Sequence, residues 1–237
     1  MNPRFLFLTF LVLATSADAK PVRYELDPVH SRIVFSVGHD GYSSALGTLS
    51  RPQGELWFDP DDWRSARLEV CIDLTTLDLG NGDINARIAR RDYLDTQRHP
   101  YARFVSSSVE PRTATRADVH GTLSLRGNEV PVTLEVTLNR IARSAYTLRR
   151  TAGFSAKATL RRSAFGMTAH PRAVDDSVHL RIEAEAVRRR GQAEAPTPHR
   201  KLDGQPADGA ITESSAAAGR LPACTPAGSP ADPMPEA

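Results

Sequence analysis

Apolar and polar residues alternate strictly on both sides of a short polar break in residues 119–138, which read VHGTLSLRGNEVPVTLEVTL. Successive side chains of a β-strand point to opposite faces, so each arm carries one apolar face and one polar face. Gly127 and Asn128 in the break are residues that adopt the positive φ angles of a tight reversal. The stretch therefore predicts an antiparallel hairpin. Pro131 donates no ladder hydrogen bond, so we expect it at a strand start or on a sheet edge.

The same period of two recurs along most of the chain between residues 24 and 187, and turn residues separate the repeats. The segments with this pattern are 24–37, 39–58, 67–74, 102–109, 146–160 and 178–187. One stretch differs, because Ile84 and Ile88 are spaced four residues apart after Asn81 or Asp83 as the capping residue, with Arg87, Arg90 and Arg91 on the opposite, polar side. It predicts a short helix that ends near Tyr93. So narrow an apolar stripe places this helix on a surface or across an opening.

Eight or more strands with one inserted helix are typical of an antiparallel sandwich or barrel. We favour an all-β, eight-stranded antiparallel barrel with the helix near its opening. The interior of such a barrel is either filled by side chains or holds one small ligand.

Both ends of the chain differ from this pattern. Residues 1–19 contain Arg4, an apolar run and the small-x-small site Ala17-Asp18-Ala19, which together predict a signal peptide cleaved near Ala19 and an exported protein. Residues 191–237 are rich in Pro, Ala, Gly and Ser without periodic apolar positions, which predicts a disordered tail. The folded domain is predicted to cover residues 20–190.

Composition excludes some classes of function. The formal net charge of +2 gives no field for gathering nucleic acid, and the apolar run near the N-terminus is too short for stable insertion in a membrane. Local arginine pairs, such as Arg161-Arg162, are either solvated turn residues or a basic rim that faces anionic lipid, and we favour the first interpretation. Two cysteines exclude a framework of disulfides. Cys71 and Cys224 are far apart, which favours two reduced thiols over a bridge.

No motif for catalysis, nucleotide binding or metal binding is present: the chain lacks G-x-S-x-G, C-x-x-C, H-E-x-x-H and a Walker-type loop. The seven histidines are dispersed. We therefore expect no metal, no cofactor and no catalytic residues. An enzyme stays an alternative, and it would require that His30, His39 and His99 converge on a cavity.

Five segments in order resemble the YceI-like family of polyisoprenoid-binding proteins. They are YELDPVHS from Tyr24, FSVGH from Phe35, DLGN from Asp78 with RDYLD from Arg91, GTLSLRG from Gly121 with PVTL from Pro131, and RSAFGM from Arg162. The resemblance implies a lipocalin-like periplasmic barrel that holds a long isoprenoid or similar lipid in its lumen, often as a homodimer. The family often has two phenylalanines where this chain has Tyr93 and Leu94.

On this basis we expect the inward faces of the strands, with the helix and the loop after it, to contact the lipid. The candidate ligand-binding residues are Phe35, Val37, Leu49, Ile72, Ile84, Ile88, Tyr93, Leu123, Leu134, Phe154, Phe165, Met167 and Leu180. His39 and Arg91 are candidates for contact with a quinone or phosphate head group. The predicted function is a carrier or sequestering protein for the lipid. The alternatives are an enzyme that acts on an isoprenoid quinone and a structural or interaction barrel without ligand.

Overall fold

A computed structural model describes residues 21–145 and 148–189 together with Cys224. The predicted signal peptide and the predicted tail, apart from Cys224, lie outside the described residues. Within the described part the chain forms ten antiparallel strands and one α-helix. Three short 3-10 turns, at Trp63–Ser65, Leu74–Thr76 and Arg162–Phe165, complete the elements.

The strands are longer than the alternating segments indicated, above all from β6 onward. In chain order the elements are β1 (Val22–Leu26), β2 (Arg32–His39), β3 (Ser43–Ser50), β4 (Gln53–Phe58), β5 (Arg67–Asp73), α1 (Gly82–Ile88), β6 (Tyr101–Thr113), β7 (Arg116–Leu125), β8 (Asn128–Arg143), β9 (Arg150–Arg161) and β10 (Val174–Arg188).

Pairing of the first strand with the last one closes the sheet into a barrel. Strands β1 and β4 to β10 form a ring of eight, in the order β1-β4-β5-β6-β7-β8-β9-β10, and β1 returns to β10 through Tyr24 to Leu26. The eight-stranded antiparallel barrel predicted from the sequence is confirmed. One edge of β10 pairs with β9. The other edge is long enough for two partners, because the first half of β10 pairs with β2 and its last residues pair with β1. The β2–β3 hairpin thus extends the wall beyond the ring.

The free edge of β3 is joined to the segment before the helix. Thr48 and Asp78 exchange two backbone hydrogen bonds of 2.8 and 3.0 Å, and the Thr76 hydroxyl donates to Ser50 O. These bonds cover the edge of β3 near its C-terminal end. Its N-terminal end lies beside the opening described below.

The predicted central hairpin is present as β7 and β8, which pair from Arg116↔Thr137 to Leu125↔Asn128. The positive φ angles lie at Arg126 (53°) and Gly127 (75°), one residue earlier than the predicted Gly-Asn pair. Pro131 pairs with Thr122 in a part of β8 that has β7 as its neighbour, while β9 joins β8 from Glu135 onward. The prediction that Pro131 lies on a sheet edge is therefore confirmed.

Helix α1 is shorter than predicted. The Asn81 side chain accepts hydrogen bonds from the amides of Asp83 and Ile84, as the capping pattern indicated, but the helix ends at Ile88 and a series of turns leads to Tyr93. No residue of α1 is fully buried. The prediction of a helix on a surface or across an opening agrees with this exposure.

The prediction of two reduced thiols is wrong. Cys71, which points outward from β5, forms a disulfide with Cys224, and the two Cα atoms are 5.7 Å apart. Distance along the sequence is no barrier to a bridge when the intervening chain folds back on itself. The bond joins the C-terminal region to the barrel wall.

Candidate functional site

The interior of the barrel contains two adjacent apolar cavities. The first, which we call the mouth cavity, has a volume of about 570 Å³ and lies beneath α1 and the turn at Arg162–Phe165. The second, the inner cavity, has a volume of about 160 Å³ and lies deeper in the barrel. Ile33, Ile72, Leu123, Leu160 and Leu180 line both of them. These shared walls make one elongated apolar space of the two volumes.

All thirteen candidate ligand-binding residues face this space. Eleven of them line the mouth cavity, and Leu134 and Phe154 line the inner cavity. For those on strands the cause is alternation, because every second residue of a barrel strand points inward. Their contact with a ligand stays a prediction.

A glycine shapes the wall at the mouth. The Phe35 ring lies across Gly47 on the paired strand, and a Cβ atom added at Gly47 would lie 2.3 Å from Phe35 Cζ. Because Gly47 has no side chain, the ring can lie against β3 and leave the space in front of it open.

Aromatic side chains pack on one another at the inner end of the barrel, where they line the inner cavity. The Phe58 ring packs edge to face against Trp63 at 4.9 Å and against Phe154 at 5.6 Å between ring centroids. Phe58 and Trp63 are buried. Edge-to-face contacts of this kind are favourable beyond the area they bury.

Buried or partly buried arginines anchor the loops at the mouth through hydrogen bonds to backbone carbonyls. Arg162 donates to three backbone carbonyls, those of Asp175 (2.9 Å), Met167 (2.6 Å) and Val174 (2.8 Å). Its side chain is buried, so the expectation of a solvated turn residue is wrong for this arginine. The backbone carbonyls of the loop between β9 and β10 need hydrogen-bond donors. A guanidinium supplies several N–H donors in one plane, so Arg162 can bond three of these carbonyls at once.

A second arginine ties the hairpin tip to the same region. Arg126 donates to the carbonyls of Phe165, Gly166 and Arg91 at 3.1, 2.8 and 2.7 Å. It thereby joins the β7–β8 turn, the 3-10 turn and the segment after α1 around one side of the opening.

The polar groups at the mouth differ in part from those predicted. His39 lines the mouth cavity as expected, whereas the Arg91 side chain lines neither cavity. Two residues that sequence reasoning missed, Arg87 and His170, line the cavity instead. The expectation that Arg87 lies on the opposite side of the helix from Ile84 and Ile88 is wrong, because all three line the same cavity. His170 gave no signal in the sequence.

Arg87 and His170 contact each other across the opening. Arg87 Nη2 lies 3.1 Å from His170 Nε2, and the His170 ring stacks on Tyr93 with 6.4 Å between centroids and 15° between planes. Arginine has no acceptor, so in this hydrogen bond Arg87 donates and His170 Nε2 accepts.

The three histidines that an enzyme would require do not converge. His39 is at the mouth, His99 packs against Gly127 of the β7–β8 turn, and neither His30 nor His99 lines the mouth cavity or the inner cavity. His30 Nδ1 lies 2.9 Å from Asp27 Oδ2 on the outer surface, with Glu185 nearby. Partial burial raises the pKa of Asp27, but hydrogen bonds from His30 and from two backbone amides outweigh this effect and hold the pKa below its ordinary value. The hydrogen bond to Asp27 raises the pKa of His30.

Among the described residues no helix has the length and apolar character needed to cross a bilayer. That finding concerns helices alone.

Comparison with other proteins identifies the fold and its relatives. Residues 24–186 match the YceI-like domain. The chain is 30% identical over 182 residues to the UPF0312 protein of Pseudomonas putida (strain W619), an alignment that covers 77% of this chain and 94% of the relative. It is 29% identical over 193 residues to the protein YceI of Escherichia coli O157:H7, covering 80% of this chain and all of the relative.

Solved structures have the same architecture at lower identity. The crystal structure of Burkholderia cenocepacia BcnA matches with a TM-score of 0.62 and 24% identity, covering 68% of this chain and 98% of that one. A polyisoprenoid binding domain from Saccharophagus degradans, described as implicated in plant cell wall breakdown, matches with a TM-score of 0.56 and 14% identity. The match covers 71% of this chain and 99% of that one.

Proposed function

This chain belongs to the YceI-like family, and from that premise we propose that it binds a long-chain isoprenoid or a similar amphiphilic lipid in its barrel as a periplasmic carrier or sequestering protein. The observation that carries the proposal is the elongated apolar space inside the barrel. The mouth cavity alone, at about 570 Å³, is within the range of roughly 300 to 1,000 Å³ that is usual for ligand pockets. A structural barrel without ligand would be expected to have a filled interior.

Burial of a hydrocarbon tail supplies the driving force. Each buried CH₂ group contributes about 0.8 kcal/mol, so one five-carbon isoprene unit contributes on the order of 3 to 4 kcal/mol. Association and ordering of the chain oppose binding by roughly 4 to 15 kcal/mol. A ligand of several units is therefore needed for tight binding, and tail length should matter more than the nature of the head group for the total affinity.

The disulfide supports export. Disulfides persist in oxidising compartments such as the bacterial periplasm and are rare in the cytosol. The Cys71–Cys224 bond and the predicted signal peptide at residues 1–19 point to the same compartment. A soluble protein there could carry a lipid or withhold it, as a monomer or as the homodimer that the family resemblance implies.

An enzyme that acts on an isoprenoid quinone is less well supported. It would require a base or acid cluster at the cavity, and of the three histidines considered only His39 lines it.

Native mass spectrometry of the periplasmic protein, followed by lipid extraction, tests the proposal directly. We expect a bound lipid that is displaced by added polyprenyl lipids. The matched variants are Leu180→Trp, which fills the part of the barrel where the two cavities meet, and Arg181→Trp, which places the same ring on the outer face of the same strand. Leu180→Trp should lose long-chain ligands and Arg181→Trp should retain them. A folded wild-type protein that ignores every added polyprenyl lipid would contradict the proposal.

A further inference from the structure

The ionisable side chains that line the mouth cavity are basic, apart from that of Tyr93. The basic residues are His39, Arg87, Arg162 and His170, and no aspartate or glutamate is among the lining residues. Arg162 already donates to three backbone carbonyls and serves the fold. Arg87, the other arginine that lines the cavity, contacts the His170 side chain instead of the loop carbonyls.

Arg87 has no carboxylate partner in the part of the chain that the structure describes. None of the ion pairs found there includes it. Its contact with His170 involves Nη2 alone and an imidazole supplies no negative charge, so the guanidinium, which is exposed at the rim, is ion-paired with no carboxylate among the described residues. Other N–H groups of the guanidinium remain available for a ligand.

The backbone holds this arginine beside the apolar space. Arg87 lies in the last turn of α1, on the same face as Ile84 and Ile88, which line the same cavity. His170 fixes one edge of the guanidinium and is itself stacked on Tyr93. A chain that fills the barrel from the mouth inward would therefore end with its head group next to Arg87.

We propose that Arg87, positioned by His170, binds an anionic head group, so that the preferred ligands are amphiphiles that end in a phosphate monoester or a carboxylate. This proposal rests on the proposed lipid-binding function and adds the chemistry of the head group. A planar guanidinium matches both anions with paired hydrogen bonds, and such charge-assisted bonds are about twice as strong as neutral ones. An alcohol or quinone head group would leave the charge of Arg87 without a counter-ion.

The test compares ligands that share a tail and differ in charge. Delipidated protein is titrated with geranylgeranyl phosphate and geranylgeraniol, and separately with palmitate and hexadecanol. We expect the anionic member of at least one pair to bind about tenfold more tightly than the alcohol, a preference that added salt weakens. The two pairs distinguish phosphate from carboxylate as the natural source of the anion.

Variants assign the preference to one residue. Arg87→Gln should reduce the affinity for the anion to that for the alcohol and leave the alcohol unchanged, and Arg87→Lys should retain part of the preference. Arg90→Gln is the control, because Arg90 follows the same helix, is exposed and lines neither cavity. Thermal unfolding of each variant shows that it is folded.

The outcomes separate the two proposals. Equal binding of anion and alcohol by the wild-type protein, or an anion preference that survives in Arg87→Gln, overturns the role of Arg87 and leaves lipid binding intact. Failure to bind any of the four compounds, together with the absence of a lipid in native mass spectra, overturns lipid binding itself.

Discussion

The two ends of the barrel are built by different physical means. At the inner end, Phe58, Trp63 and Phe154 pack edge to face and fill the space between the strands. At the mouth, guanidinium groups of Arg126 and Arg162 hold loops through backbone carbonyls, and the helix that borders the opening has no buried residue. The aromatic rings pack on one another and leave only the small inner cavity beside them, whereas polar anchoring of the loops at the mouth fixes their position above the larger mouth cavity.

This difference predicts that stability and binding are separable properties of the protein. The inner end should contribute most to the free energy of unfolding, because large buried aromatic rings become exposed to water there when the protein unfolds. The mouth should determine which molecules enter and stay. Substitutions at the two ends can therefore test whether the division is real.

The largest expected effect follows from Phe58→Ala. Removal of a fully buried phenylalanine destabilises a protein by about 3 to 5 kcal/mol, since buried surface is lost and a cavity remains. Phe35→Ala is the matched variant at the mouth, where the ring is partly exposed and faces an open cavity, and its loss should be clearly smaller. Chemical denaturation followed by tryptophan fluorescence or circular dichroism measures both. Equal losses would show that the two ends do not differ in packing.

A smaller effect is expected from Arg162→Met at the mouth. The methionine keeps an apolar stem but leaves the carbonyls of Met167, Val174 and Asp175 without their donor. Hydrogen bonds to charged groups contribute about 1.5 to 3 kcal/mol, so we expect a loss near the upper end of that range. Lipid affinity should also fall, because the loop above the cavity loses its anchor. Arg161→Met, at an exposed neighbouring position, should change neither stability nor affinity by as much.

The sequence predicted the inner wall well because a strand has a simple rule. Alternation alone assigns Phe35, Leu123 and Leu180 to the same side, and closure of the ring then directs that side inward. The same rule directs Leu134 and Phe154 inward, and both line the inner cavity. What such a pattern cannot give is whether inward residues touch each other or leave a space, since that depends on ring closure and on small residues such as Gly47.

The mouth was predicted less well because loops have no comparable rule. Arg91 was a predicted head-group contact, but it lies in the turns after the helix ends at Ile88, where Tyr93 lines the cavity and Arg91 does not, whereas Arg87 on the helix lines it. His170 comes from a loop more than 80 residues further along, and only the fold of β9 and β10 brings it to Arg87. The pairing of Cys71 with Cys224 was missed for a similar reason.

The disulfide sharpens the comparison, because Cys71 lies on the outer wall and belongs to neither end. The sequence predicts that residues 191–237 carry no packed structure. On that prediction the bond closes a loop in the folded protein as well as in the unfolded chain, and only the difference between the two loops contributes to stability. In the unfolded chain it spans 153 residues, and in the folded protein about 35 residues link Arg189 to Cys224. The logarithmic dependence of loop closure on length then gives a stabilisation of about 1 kcal/mol.

Cys71→Ser combined with Cys224→Ser should therefore lower the free energy of unfolding by about 1 kcal/mol and leave lipid affinity unchanged. Urea denaturation of the double variant and of wild-type protein with and without reductant measures the difference, and peptide mapping without reduction verifies the bond. Because reduction of the wild type removes the same cross-link without changing a side chain in the wall, it serves as the control for packing at Cys71. A loss of several kcal/mol in both experiments would show that the region around Cys224 packs on the barrel and that the wall of β5, rather than the aromatic end alone, carries much of the stability.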